Sequence, residues 1–332
     1  MYLDEKCLEI ETELEERFQS RKVDSWPLIE SYRRLGLVER ADKVQYCGSV
    51  LDFKVPEDFA SPAKLYQANF CKDRLCGMCA WRRSLKVFAQ LSEIMDVLQA
   101  DHDYQFVFVT LTVRNCSGKM LPMLLDRFSH GFHLFNQRAR VKRAFKGSFK
   151  AVEITYHPDH PRDLQYHPHL HIVYAVNKSY FKSADYLSHD DIMYLWRECM
   201  DLGYDPVVHI QKVKPNVNED GEISLGKAVA EISKYTVKPE DIFVNNTEEQ
   251  IDSAVLTLSG ALAGRRLCSY TGIFKKIAKQ LKLDDLTDGD LVLTGKEKLR
   301  TDVRYLIVTY KWGAGVGYER TCVRYDTKEN VE

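Results

Sequence analysis

Residues 166–174 (YHPHLHIVY) constrain the fold more than any other stretch, because polar and apolar side chains alternate along them. In an extended strand successive side chains point to opposite faces, so His167, His169 and His171 share one face, while Leu170 lies on the other. Two imidazoles separated by one residue can bind the same divalent cation. The alternation therefore predicts a strand with one apolar face and one polar face that can bind metal.

A second alternating stretch, residues 151–157 (AVEITYH), precedes the histidines and is joined to them by a connection rich in Pro, Asp and Arg. If the two stretches form an antiparallel hairpin, Glu153 and His157 lie on the face that carries the three histidines. A sheet surface with accidental polar alternation is the alternative. Three histidines beside a carboxylate strand favour a metal site of two imidazoles and one carboxylate.

A cysteine cluster forms the second candidate metal site. Residues 71–79 have the spacing Cys-x4-Cys-x2-Cys, and tetrahedral zinc requires one further ligand, which the nearest upstream cysteine can supply. The candidate zinc ligands are Cys47, Cys71, Cys76 and Cys79. Three buried thiols at chance spacing are the alternative. The other five cysteines are scattered and favour core packing.

The cysteine cluster leads directly into a predicted basic helix from Trp81 to about Gln99, with Arg82, Arg83 and Lys86 in its first turns. A zinc site that fixes a basic helix suits contact with DNA. Nine cysteines in a chain with no signal peptide indicate metal binding or packing before disulfides.

Composition limits the classes of function. With 332 residues, 45% of them apolar, the chain can bury a large core, and its net charge of −1 gives no simple argument for nucleic acid. The charge is uneven, however: residues 138–150 and 264–282 each carry six Lys or Arg and no acid. Separated basic patches suit phosphate contact. No signal peptide or apolar run near 18 residues is present, so we expect a cytoplasmic protein without a membrane partner.

The pattern of elements predicts an α+β fold: a central antiparallel or mixed sheet that carries the histidine strand, with helices packed mainly on one face. Strands are predicted at 105–113, 148–156, 168–176 and 206–214, and helices at 121–140, 189–201, 254–263 and 273–283. We expect a helical and Cys-rich segment at 1–104, a catalytic domain at 105–283 and a C-terminal β-hairpin segment at 284–332.

Residues 225–239 (LGKAVAEISKYTVKP) predict a further helix, which Pro239 ends. Glu231 and Tyr235 then stand one turn apart on one face, with Lys238 three residues further along. Phosphodiester transfer through a phosphotyrosine would use these groups: a tyrosine nucleophile, a carboxylate base and a cation for the phosphate. Taken alone, the stretch favours an ordinary amphipathic helix.

Together these motifs resemble the HUH endonucleases, and most closely the plasmid rolling-circle replication initiators (Rep proteins) that have a single catalytic tyrosine and a cysteine-containing N-terminal segment. The resemblance runs from about residue 45 to 280. It is carried by residues 70–86, 108–112 (FVTLT), 167–171 (HPHLH), 231–238 and 265–267. One departure is Gly77, where the family often has proline, and this leaves the zinc assignment open.

The resemblance implies Mg²⁺ or Mn²⁺ bound by His169, His171 and a third ligand, which we assign to Glu153 with His157 as the alternative. It implies nicking of one strand at the double-strand origin, with Tyr235 joined to the 5′ phosphate. Glu231 would activate water at termination. The implied partners are plasmid origin DNA, a host helicase and a polymerase, in the bacterial cytoplasm, with a homodimer as one option.

The basic patches give the candidate DNA contacts: Arg82, Arg83, Lys86, Arg140, Lys142, Arg143, Arg265 and Arg266. Three other functions use some of the same features. They are a zinc-stabilised DNA-binding regulator that does not nick, a single-tyrosine transposase or relaxase, and a metal-dependent hydrolase that acts without a covalent step.

Overall fold

The computed structural model describes residues 2–100, 104–160, 163–213, 216–217, 223–224, 229–230, 233, 237–287, 289–294, 299–300 and 302–326. Contacts divide the chain into two compact units. Unit 1 comprises residues 1–86 and 290–332, and unit 2 comprises residues 87–289. A membrane-spanning helix is not found anywhere in the described part of the chain.

The α-helices of the described residues are α1 (Tyr2–Glu13), α2 (Ser20–Val23), α3 (Trp26–Arg34), α4 (Val38–Gln45), α5 (Gly77–Ala100), α6 (Leu121–Gln137), α7 (Ala139–Ala144), α8 (His189–Cys199), α9 (Pro239–Phe243), α10 (Glu248–Leu262) and α11 (Gly272–Gln280). A π-helical segment, Leu14–Gln19, links α1 to α2. The strands are β1 (Val50–Pro56), β2 (Lys64–Ala68), β3 (Gln105–Thr112), β4 (Gly147–Tyr156), β5 (Tyr166–Val176), β6 (Val208–Lys212), β7 (Asn216–Val217), β8 (Ile223–Ser224), β9 (Cys268–Thr271), β10 (Tyr305–Gly313) and β11 (Gly317–Tyr325).

Unit 1 contains an antiparallel sheet of strand order β11-β10-β1-β2. The predicted helical start of the chain and the predicted C-terminal hairpin are both confirmed. Strands β1 and β2 were not predicted, because charged residues interrupt β1. Asp52 accepts hydrogen bonds from Thr309 and Arg324, and Lys54 pairs with Asp326 at 2.6 Å. These partners lie more than 250 residues away in sequence, so the local pattern could not reveal them. The three-part division at residues 104 and 283 stays a prediction.

Unit 2 contains a five-stranded sheet of order β6-β3-β5-β4-β9, with the histidine strand β5 at its centre. Each of its pairings is antiparallel. The predicted α+β class, with a central antiparallel sheet that carries the His-x-His strand, is therefore confirmed.

Helices pack on both faces of this sheet, so the prediction of helices mainly on one face is wrong. On the histidine face, Val173 and Ala175 belong to one buried cluster with residues of α5 and α11, including Phe274. On the opposite face, Tyr174 donates a hydrogen bond to Asn136 of α6, and the Lys150 amine lies over the Phe132 ring. The polar alternation holds only at the histidine end of β5. Residues 172–176 (IVYAV) are buried on both faces.

Candidate active site

The strands β4 and β5 bring one carboxylate and two imidazoles together. In the β4–β5 register Glu153 lies directly opposite His169, and Ala151 lies opposite His171. The Glu153 Oε2 atom is 3.0 Å from His169 Nε2 and 2.6 Å from His171 Nε2. The three ligand atoms lie within 4.8 Å of one another, on side chains that are 12–16% exposed. The hairpin expected from the sequence is present, and it places these three groups on one face.

Neighbouring groups fix the two imidazole rings. Thr110 of β3 lies opposite His171 in the β3–β5 ladder, and its Oγ1 atom is 3.2 Å from His171 Nδ1. The Phe108 ring stacks on the same imidazole at 5.6 Å between centroids. The Nδ1 atom of His169 lies 3.3 Å from the carbonyl oxygen of His167. Because each Nδ1 has its own partner, both Nε2 atoms are directed to the shared centre, as in metal sites whose ligands are oriented by outer contacts.

The electrostatics of the cluster favour an ionised carboxylate. Burial opposes ionisation of Glu153, but hydrogen bonds and charge interactions with His169 and His171 outweigh it and hold the pKa of this carboxyl well below its usual range. Two imidazole nitrogens and one carboxylate oxygen converge on one point, and this donor set fits a divalent cation with positions left for oxygen ligands.

The other predicted ligands lie apart from this cluster. His157 is exposed at the end of β4 and is not among the three converging groups, so the structure brings Glu153, rather than His157, to the two imidazoles. His167 shares their face, and burial and the charges of His169 and His157 lower the pKa of its imidazole.

Two predicted catalytic residues, Glu231 and Tyr235, lie outside the described residues. The third, Lys238, has its amine 3.8 Å from Glu153 Oε1 and is 45% exposed. Within the predicted helix, the Ser233 amide donates to the carbonyl oxygen of Val229 at 3.0 Å, as in a helical turn, and both residues are buried. Pro239, expected to end that helix, lies at the start of α9.

The four predicted zinc ligands also lie together. Their sulfur atoms are within 4.8 Å of one another, and Cys71 is the one that is not fully buried. Two residues beside these sites were not singled out from the sequence: Thr110, and Lys22, whose amine donates to the Cys47 carbonyl oxygen. Thr110 lies in the alternating stretch 108–112, which could have identified it, whereas no local pattern marks Lys22.

The predicted DNA contacts fall into two groups. Arg82 and Lys86 are only 5% and 2% exposed, and they donate to backbone carbonyl oxygens of residues 290–292 within unit 1. Arg83 donates to the carbonyl oxygens of Lys72 and Asp73. These three side chains form hydrogen bonds to the backbone of unit 1. Because Arg82 and Lys86 are also buried, their prediction as DNA contacts is wrong.

The remaining predicted DNA contacts lie in unit 2, where most of them pair with acids. Arg140 pairs with Asp191 at 2.7 Å, and Arg143 pairs with Asp185 at 3.2 Å. The other pairs are Arg265 with Asp126 and Arg266 with Asp285, whereas Lys142 is exposed. The basic patch read from residues 138–150 is therefore partly neutralised by acids that are distant in sequence.

Comparisons with known proteins identify the family of this chain. The model of the family described as Replication protein matches residues 62–318. "Protein rep" of Bacillus sp is 40% identical over 279 residues, which cover 81% of this chain and 89% of the relative. "Protein rep" of Streptococcus pneumoniae serotype 2 is 35% identical over 284 residues and 84% of each chain. No solved structure matches the chain.

The fold and the clustered side chains define an α+β protein compatible with the HUH endonuclease fold, with a His-x-His strand at the centre of its sheet. The family match is consistent with that class and narrows it. The chain belongs to the replication protein family, and the expected plasmid rolling-circle replication initiator is confirmed.

Replacing Glu153 by Gln should weaken Mn²⁺ binding by at least about tenfold, because the charged oxygen between the two imidazoles is lost. Titration of the full-length chain with Mn²⁺, followed by electron paramagnetic resonance, measures free and bound ion. Glu249→Gln, an exposed carboxylate on α10, is the matched control. Equal Mn²⁺ affinity in the two variants would contradict the assignment of Glu153 as a ligand.

Proposed function

We propose that this replication initiator is a metal-dependent, site-specific single-strand endonuclease that nicks the plasmid double-strand origin through a phosphotyrosine. The observation that carries the proposal is the Glu153–His169–His171 cluster on the central strands, with the Lys238 amine at the second oxygen of the same carboxylate. Membership of the replication protein family supports the substrate class, which is plasmid origin DNA.

His169, His171 and Glu153 would hold Mg²⁺ or Mn²⁺, which when bound supplies a positive charge that polarises a phosphate oxygen. The family resemblance favours these harder ions over zinc at this site. The protein contributes the fixed orientation of the ligands: Thr110 and the His167 carbonyl oxygen hold the rings, and the strand register holds Glu153.

Tyr235 is the proposed nucleophile. The phenol loses its proton as its oxygen forms a bond to the scissile phosphorus, the bond from phosphorus to the 3′ oxygen breaks, and that oxygen takes up a proton and leaves as a free 3′ hydroxyl. Lys238 supports this role, since its amine lies at the Glu153 carboxylate and its position is three residues after the tyrosine. That separation limits the chain between them to about 11 Å. The lysine would stabilise the negative charge that develops on the phosphate.

Glu231 is the proposed base for termination. One turn before the tyrosine, a carboxylate can take a proton from water, which then attacks phosphorus and releases a strand without a second tyrosine. On either side of Glu231 in sequence, Val229 belongs to the buried core cluster of unit 2 and Ser233 is buried. The proposal therefore assigns the two nucleophiles, phenol and water, to one short segment.

The lysines of α11 give a candidate surface for DNA. Lys275, Lys276 and Lys279 of the helix and Lys282 just after it are exposed, and within the described part of the chain none of them pairs with an acid. The helix packs through Phe274 and Ile277 on the sheet face that carries the histidines. Unpaired lysines on one helix suit contact with the phosphate backbone, which needs no base recognition.

Replacing Tyr235 by Phe should abolish nicking of a supercoiled plasmid that carries the origin but leave DNA binding unchanged. Agarose gels follow conversion to open circles, and denaturing gels of a labelled oligonucleotide detect the covalent adduct. Tyr186→Phe, an exposed tyrosine, is the control. Cleavage by wild type without an adduct would contradict the phosphotyrosine step. Binding by wild type without cleavage would favour a DNA-binding regulator.

Replacing Glu231 by Ala should leave the first nick intact and impair termination, because only the second nucleophile is water. The test compares nicking of a supercoiled plasmid with release of a closed single-stranded circle from a template that carries two copies of the origin. If both steps are lost equally, Glu231 has a structural role instead.

Replacing Lys275 and Lys279 together by Ala should weaken origin binding and reduce the slope of log affinity against log salt by about 2, since two phosphate contacts are lost. Fluorescence anisotropy at several salt concentrations measures both quantities. The control is the double variant Lys119→Ala and Lys182→Ala, two exposed lysines elsewhere in unit 2. An unchanged slope would exclude the α11 surface.

A further inference from the structure

The four cysteine sulfurs of unit 1 have the spacing of a single tetrahedral metal ion. Cys47 and Cys79 are 3.5 Å apart, Cys71 and Cys79 are 3.6 Å apart, and Cys47 and Cys76 are 3.7 Å apart, measured between Sγ atoms. A zinc ion with four thiolates at about 2.3 Å separates the sulfurs by about 3.8 Å. We propose that these cysteines form a structural zinc site and that Lys22 provides its counter-charge.

Other chemistries of four cysteines fit less well. A disulfide requires sulfurs about 2.05 Å apart, and all nine cysteines are free thiols. In an iron–sulfur cluster the four cysteines bind two or more irons. Cysteine sulfurs on different irons are then farther apart than the sulfurs observed here. Soft thiolates select zinc among the common divalent ions that prefer tetrahedral sites.

The backbone is arranged to donate to these sulfurs. The amide of Cys71 lies 3.4 Å from Cys47 Sγ, and the amide of Lys72 lies 3.2 Å from Cys79 Sγ. Lys72 adopts a left-handed conformation with φ of 61°, which directs its amide in this way. N–H donors to a ligand atom stabilise the thiolate form, as outer contacts do in metal sites.

Lys22 of α2 carries the charge that such a site requires. Its amine donates to the carbonyl oxygens of Gln45 and Cys47 at 2.5 and 2.7 Å, and the residue is only 9% exposed. The second of these oxygens belongs to one of the four cysteines, so the amine lies beside the cluster. Zinc with four thiolates has a net charge of −2, and a buried charge of that size is costly without a cation beside it.

The site would join three separate pieces of unit 1: the residue pair that follows α4, the loop that begins at Cys71, and the first turn of α5. Arg83, in the second turn of α5, donates to the carbonyl oxygens of Lys72 and Asp73, so side-chain hydrogen bonds also hold this loop against the helix. Zinc would therefore set where α5 begins, and its binding free energy would contribute to folding of unit 1.

The first experiment uses the full-length wild-type chain, purified without chelators. Elemental analysis should find zinc, and Co²⁺ exchanged into the protein should give thiolate-to-cobalt charge-transfer absorption with intense tetrahedral d–d bands. A cobalt ion at the His169–His171 site gives no thiolate absorption, so the two sites are distinguishable. A chain that takes up neither ion on thiolates would overturn the proposal.

Cysteine variants locate the ion. Cys76→Ser should lose the thiolate absorption, whereas Cys322→Ser, an exposed cysteine of the same unit, should keep it. Retention of the absorption by Cys76→Ser would overturn the assignment. If Cys76→Ser does not fold, the wild-type cobalt spectrum decides, together with the number of thiols whose titration by a mercurial reagent accompanies zinc release, for which we expect four beyond those, such as Cys322, that react without releasing zinc.

Lys22 is tested separately. Lys22→Met should release zinc to a competing chelator at about 10- to 100-fold lower chelator concentration than wild type, the range that loss of an outer contact produces. Lys43→Met, an exposed lysine on α4, should behave as wild type. Equal zinc retention in the two variants would remove Lys22 from the site and leave the four cysteines as its ligands.

Discussion

The register between β4 and β5 is the constraint on which the candidate active site depends. Glu153 and His169 share a face only because they are direct partners across this ladder. A shift by one residue would move Glu153 to the opposite face, among the side chains that pack against α6. The register is fixed at the other end of the strands, where Phe149 and Val173 are paired and buried against α5 and α11. Apolar packing thus holds the polar site in place.

Much of this arrangement could be predicted because its signals are local. The alternation in residues 166–174, the carboxylate strand before it and the short connection between them are enough to predict the hairpin and its shared face. The helices on both sides of the sheet were missed, since the alternation at the histidine end of the strand predicts one covered face, whereas residues 172–176 are apolar without alternation and are buried on both faces. Strand β1 was missed because the partners of Asp52 and Lys54 lie far away in sequence, on β10 and just after β11.

The roles of the charged residues also could not be predicted from local sequence. Arginine clusters were read as DNA contacts, but the structure uses most of them internally: Arg82 holds the backbone near residue 291, and Arg140 pairs with Asp191. Planar guanidinium groups suit such fixed pairs, whereas the strongly hydrated lysine ammonium on its flexible stem suits an exposed surface. Although the net charge is close to zero, α11 can therefore present a basic surface, because many arginines elsewhere pair with acids or backbone oxygens within the protein. Counting charges along the sequence does not separate the two uses.

The topology of unit 1 has a consequence for synthesis of the chain. Strand β1 pairs with β10, and Pro56 lies opposite Tyr305 in this ladder. The pairing can therefore form only after the ribosome has translated about 250 further residues. At typical bacterial elongation rates this interval is roughly 10 to 50 seconds. All of unit 2 emerges from the ribosome during that time. All residues of the sheet with the histidine strand are therefore made before the N-terminal sheet can close, and one edge of β1 stays unpaired until β10 has been synthesised.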